Sequence, residues 1–149
     1  MIPPIAGLHA SQLRDSFNET HNGHRHGAVD VMAPRGTPVR AVISGKVAKL
    51  FLSKPGGITI YLVDDPGVYC YYYAHLDGYA ANLHDGARVK AGDVIGYVGS
   101  TGDAAANAPH LHFEISRMGP EKHWWGGTQL NPFPLLIEAL QREGRSLNR

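Results

Sequence analysis

The sequence predicts a mostly β fold: a single-domain antiparallel β-sheet with short peripheral helices, one of them C-terminal. Three observations carry this. The chain has 18 glycines and 10 prolines, which punctuate it with turns. The runs between them either alternate apolar and polar residues or are dense in β-branched and aromatic ones. Helical spacing stands out only near the end. At 149 residues the chain is long enough to bury its own core. No linker-like or low-complexity interval divides it, so residues 1–149 read as one domain.

The elements follow in order. Residues 1 to about 25 carry few period-2 signals and predict turns, with one short helical turn around Ser11 to Ser16. Ala28 to Met32 reads as the first strand, broken by Ala33-Pro34-Arg35-Gly36, and Pro38 to Val42 as the second. Lys46 to Phe51 and Gly57 to Val63 flank the turn Ser53-Lys54-Pro55-Gly56. Val68 to Leu76, dense in tyrosine, is the most strand-prone segment. A short strand at Val89, another over Val94 to Gly99, and a last core strand over His110 to Ser116 complete the sheet. Pro134 to Arg142 predicts a helix, with proline where a missing N–H does no harm.

Composition narrows the function. Fourteen Lys and Arg against thirteen Asp and Glu leave a formal charge of +1, so nothing draws the chain to nucleic acid or an anionic membrane. The single cysteine, Cys70, excludes an intrachain disulfide and a cysteine-based metal site. Among four tyrosines it reads as a small residue of a buried strand. No apolar run reaches the length of a membrane span. Met1-Ile2-Pro3-Pro4-Ile5 lacks the basic start and apolar stretch of a signal peptide.

Two segments carry the chemistry. On a strand, His110 and His112 point the same way, as do His26 and Asp30. Side by side, two such strands converge imidazoles and a carboxylate on one point. That is the ligand count of a catalytic zinc site with one position left open, so the chain reads as a zinc hydrolase. The four-residue spacing of His26 and Asp30 also suits a helical face, but Val29, Val31 and the Pro34 break favour a strand. His9, His84 and His123 have no partner pattern and read as ordinary polar residues. His21 and His24 stay open as surface residues, an alternative ligand or a substrate rim.

Here the residues reach a family. Arg25-His26-Gly27-Ala28-Val29-Asp30-Val31, Ala33 to Ala41 and Ser44-Gly45-Lys46-Val47 resemble the opening of the lysostaphin-type (LytM-like) peptidoglycan metallopeptidase domain, whose sheet is of the duplicated-hybrid-motif type. Tyr73-Ala74-His75-Leu76 resembles its central motif, and Gly86 to Gly102 with Pro109-His110-Leu111-His112-Phe113-Glu114 its closing half. Asn131-Pro132-Phe133 is similar to its usual end, so the resemblance covers about residues 14–136. One departure is Ala28, where the family most often has glycine. The resemblance implies one zinc ion held by His26, Asp30 and His112, with His75 and His110 as the catalytic pair. Hydrolysis of an amide needs a proton acceptor for the water and a donor for the leaving amine, and histidine titrates in the right range for both. Sequence does not say which of the two is the base. Tyr73 is expected on the face of His75, as an oxyanion contact or as one more core aromatic. Glu114 shares the face of His112, either orienting that ligand or simply exposed.

The resemblance further implies a zinc endopeptidase that cuts peptide crosslinks of bacterial peptidoglycan, with D-Ala–diaminopimelate the expected bond. A non-catalytic relative that binds and activates cell-wall amidases is the alternative; such regulators lack part of the ligand set, which this chain keeps. The cadence of Ala87 to Gly99 is shared with biotinyl or lipoyl carriers, but those need a lysine at the tip, where this chain has Ser100-Thr101-Gly102-Asp103. Trp124 and Trp125, on a glycine-rich insert, are expected either to line the substrate groove or to cover the core edge. Walls are expected from Asn18 to Gly23, from Ser100 to Pro109 and from this insert. The chain is expected to act as a monomer. Peptidoglycan lies outside the cytoplasmic membrane, so periplasmic or extracellular work is expected, with a signal or anchor encoded upstream of Met1.

Overall fold

Glycine and proline turns separate short strands in this computed structural model, which describes residues 1–21 and 23–147. A 3-10 turn at Ala10–Gln12 is followed by β1 (Leu13–Arg14), β2 (Thr20–His21), β3 (His24–Arg25), β4 (Val29–Met32) and β5 (Pro38–Arg40). Then come β6 (Gly45–Ser53), β7 (Gly57–Asp64), β8 (Tyr69–Tyr79), β9 (Arg88–Val89), β10 (Val94–Val98), β11 (His110–Arg117), β12 (Thr128–Leu130) and the helix α1 (Pro132–Leu147). The main path of the antiparallel sheet is β1-β4-β11-β8-β7-β6-β9. β10 joins β8 to β5, β12 pairs with β11, and β2-β3 form a separate hairpin.

Alternation gives this sheet two unlike faces. Along β11, Leu111, Phe113 and Ile115 are buried, while His110, His112 and Glu114 lie half-buried on the other side. Along β4, Val29 and Val31 go to the core and Asp30 to the opposite face. Tyr73, Ile60, Leu62, Leu76, Val39 and Ile95 join the same core, and α1 contributes Leu136. Burial of this apolar face is the main stabilising term, at roughly 25 cal/mol per Å². The other face is left to hold polar residues in a fixed register.

The short strands β1 to β3 and β12 were not legible, because two or three residues give no alternation to read. The helix begins at Pro132 rather than Pro134: Asn131 Oδ1 accepts a hydrogen bond from the Phe133 N–H at 3.0 Å and caps it.

The largest departure lies in β8. Ile60 pairs with Tyr73 and Ile58 with Leu76, so Thr59 alone faces both Ala74 and His75. This is a β-bulge, and His75 takes a left-handed backbone at φ +62° to form it. The bulge resets the alternation, so Tyr73 and His75 do not share a face. The expected substrate contact at Tyr73 is therefore corrected. Its ring is wholly buried against Phe113 at 5.3 Å between centroids, and its hydroxyl accepts from the Val42 N–H at 3.1 Å. Replacing Tyr73 by Phe removes that acceptor and leaves a buried donor unmatched. The expected cost is about 1–3 kcal/mol of stability, read by urea denaturation.

Candidate active site

Strand register assembles the site. His112 on β11 stands opposite Asp30 on β4 and Ala74 on β8, and Glu114 stands opposite Tyr72. His26 arrives just before β4, its backbone N–H donating to the Glu19 carbonyl at 2.7 Å. The bulge turns His75 to the same face, where its ring lies 5.0 Å from that of His110 and 5.6 Å from that of His112.

Each imidazole is oriented by an acceptor on its far side. The Nδ1 atoms of His26, His75 and His110 face the carbonyls of Ser16 (3.2 Å), Thr101 (2.7 Å) and Ala108 (3.0 Å). His112 is turned the other way: its Nε2 faces Glu114 Oε2 at 2.7 Å, and Glu114 Oε1 accepts from Gln129 at 2.7 Å. Carbonyls and carboxylates only accept, so the ring nitrogen facing each carries the hydrogen. In a neutral ring the other nitrogen then presents a lone pair to the site.

Those lone pairs converge on a carboxylate. Asp30 Oδ1 lies 3.4 Å from His26 Nε2, 3.7 Å from His110 Nε2 and 3.8 Å from His112 Nδ1. It is buried with no hydrogen-bond partner among the described residues. A buried carboxylate oxygen without a partner is costly, and a cation among the surrounding nitrogens relieves that cost. One ligand atom each from His26, Asp30 and His112 lies within 4.8 Å of the others. Nitrogen and oxygen donors of this kind suit zinc.

Burial pushes the Asp30 carboxyl up, but His26, His110 and His112 outweigh it and hold the group below the usual range. The Asp30 carboxylate in turn raises His26. Burial lowers His75, against the opposing effect of the Thr101 carbonyl. Such perturbed groups in a cleft mark functional sites.

The cleft is an open groove of about 570 Å³. Its floor carries the imidazoles, and its walls include Gly56, Ala74, Asp103 and Ala104. A second groove of about 490 Å³ shares Tyr72 and Glu114 with it. Trp124 and Trp125 border this second groove, not the imidazole cluster. Trp124 packs on Tyr61 at 4.4 Å, and the exposed Trp125 stacks on His123 at 4.2 Å. Of the expected walls, the Ser100 to Pro109 loop supplies Asp103 to the main groove, whereas Asn18 to Gly23 includes Asn22, outside the described residues. His24 is exposed on β3, and the side chain of His21 lies outside the described residues.

Sequence reasoning missed Tyr72, Asp103 and Gln129. Tyr72 shares the face of Ala74, but a run of tyrosines does not say which faces outward. Asp103 Oδ1 lies 3.8 Å from His75 Nε2, brought there by loop closure. Gln129 sits on β12, a strand too short to read.

Residues 24–132 match the sequence profile of peptidase family M23. The chain is 41% identical over 119 residues to the glycyl-glycine endopeptidase ALE-1 of Staphylococcus capitis, a match covering 79% of this chain and 31% of that protein. It is 33% identical over 116 residues to the L-Ala–D-Glu endopeptidase of Bacillus subtilis (strain 168), covering 74% and 34%. The chain thus spans about a third of the length of these curated relatives. Among solved structures, the catalytic domain of lysostaphin from Staphylococcus simulans aligns with a TM-score of 0.66 at 35% identity, covering 91% of this chain and 87% of that one. A mostly β antiparallel sheet, imidazoles and a carboxylate on its open face, and a profile match over most of the chain lead to one conclusion: this protein belongs to peptidase family M23, of the lysostaphin (LytM-like) type.

Proposed function

We propose that the protein is a zinc endopeptidase that hydrolyses peptide crosslinks of bacterial peptidoglycan, working outside the cytoplasmic membrane where that polymer lies. The observation that carries this is the buried Asp30 Oδ1, without a hydrogen-bond partner among the described residues, facing oriented imidazole nitrogens. His26, Asp30 and His112 would hold one zinc ion, leaving His75 and His110 beside it. Zinc held there would polarise an amide carbonyl and lower the pKa of a bound water toward neutrality. His75, whose Nδ1 faces the Thr101 carbonyl and whose pKa burial lowers, is suited to accept a proton through Nε2. His110, with its ring 5.0 Å away, is suited to return a proton to the leaving amine. Tyr72, on the site face, takes the substrate-contacting place first expected of Tyr73.

For the bond, we infer D-Ala–diaminopimelate. Gly56, Ala74, Ala104 and Ala105 leave side-chain room along the groove, and Arg25 borders the adjoining groove as a partner for a carboxylate. Glycyl-glycine has no side chain for either to meet. Trp124 and Trp125 would extend the substrate surface along that second groove.

Digestion of diaminopimelate-containing sacculi, with mass identification of the new termini, tests the function. Free D-Ala and diaminopimelate ends are expected. Cleavage only of glycyl-glycine bridges or of L-Ala–D-Glu would overturn the bond assignment, and no peptide cleavage would overturn the function. Trp125→Ala is expected to raise KM and leave kcat unchanged.

His112→Ala is expected to lose the zinc, as read by elemental analysis of the purified protein. Unchanged occupancy would remove His112 from the ligand set. His75→Ala and His110→Ala should each retain zinc and lose about 10²–10⁴-fold in kcat; metal loss in either would reverse the division of roles.

A further inference from the structure

Thr101 stands at the head of the loop over the groove, and its atoms reach three places at the bulge. Its hydroxyl accepts from the Ile58 N–H at 3.1 Å and donates to the Leu76 carbonyl at 2.7 Å, bridging β7 and β8 where the ladder is interrupted. Its backbone carbonyl accepts from His75 Nδ1 at 2.7 Å. The backbone of His75 is fixed by a bond from its N–H to the Gly56 carbonyl at 2.8 Å. Beneath Thr101 the chains touch: Gly102, at φ +75°, and Gly57, at φ +70°, approach so closely that a Cβ on either would strike the opposing backbone. Asp103 N–H then donates to the Pro55 carbonyl at 2.9 Å and locks the loop down.

We propose that Thr101 is the positioning residue that holds His75 in the Nδ1–H tautomer, with Nε2 turned to the groove. The inference rests on the catalytic role proposed for His75, but the geometry behind it does not. A neutral imidazole can carry its hydrogen on either nitrogen, and only one form presents a lone pair at Nε2. The carbonyl selects that form, and the hydroxyl keeps the carbonyl in place by anchoring the same residue to two strands. His75 lies in a backbone region that ordinary side chains rarely adopt, so it persists only where its surroundings over-determine it. Thr101 supplies much of that determination.

The test uses the zinc-loaded protein with ¹⁵N-labelled histidine. Wild type should show His75 as a single Nδ1–H form. Thr101→Val, which keeps the shape and removes the hydroxyl, should show mixed tautomers. Its zinc content and KM should be unchanged, and its kcat should fall about 10–100-fold, the range typical of orienting partners. Thr101→Ser, which keeps the hydroxyl, should restore both the tautomer and kcat. Thr101→Ala reads like the valine variant if valine does not fit beside Leu76. A His75 that is Nε2–H in wild type, or a pure Nδ1–H form in the valine and alanine variants, would overturn the proposal. So would a serine variant as impaired as the valine one. The tautomer is read without substrate, so a wild-type protein inactive on peptidoglycan would refute the proposed function and leave this measurement decisive.

Discussion

Asp30 sets the terms for the rest of the molecule. Its Oδ1 is withdrawn from water and has no hydrogen-bond partner among the described residues, while imidazoles of His26, His110 and His112 crowd toward it. Such an oxygen is tolerable only if positive charge is supplied next to it. A divalent cation among these nitrogens would supply it and would use the same lone pairs. Carbonyls of Ser16 and Ala108, and the carboxylate of Glu114, each hold a hydrogen on the outer nitrogen and leave the inner one turned to the site with its lone pair.

The sheet makes this arrangement rigid at little cost. His112 and Asp30 are register partners, so their separation is set by the strand spacing rather than by flexible side chains. Their immediate neighbours in sequence, Val29, Val31, Leu111 and Phe113, are all buried on the reverse side. A slip of one residue would bury His112 and Asp30 and expose the core. The hydrophobic pattern and the pattern of candidate ligands are therefore one pattern seen from two faces.

What was legible in the sequence follows from that coincidence. Period-2 alternation marked β4 and β11 and grouped His110 with His112, aromatic density marked β8, and His26 joins Asp30 from just before β4 rather than from the strand itself. The residues that resisted reading are those where alternation is broken or absent. The bulge at His75 reverses parity within one strand, which is why Tyr73 was assigned to the wrong face and Tyr72 overlooked. Gln129 and Thr101 act through contacts between segments 15 and 26 residues apart, set by strand pairing and loop closure rather than by local sequence.

The pairing of β12 with β11 has a bearing on how such a protein can be rebuilt. Thr128 is matched to Arg117 and Gln129 to Ser116, so the stems of the intervening segment are clamped at both ends. Gln129, on the clamped side, braces Glu114 and through it His112. Within the segment 118–127, Met118 is buried and donates its N–H to the Val68 carbonyl, and Trp124 packs on Tyr61, so this segment is itself anchored to the sheet. Changes confined to its exposed part, such as Trp125, would leave the chain of contacts from Gln129 through Glu114 to His112 untouched.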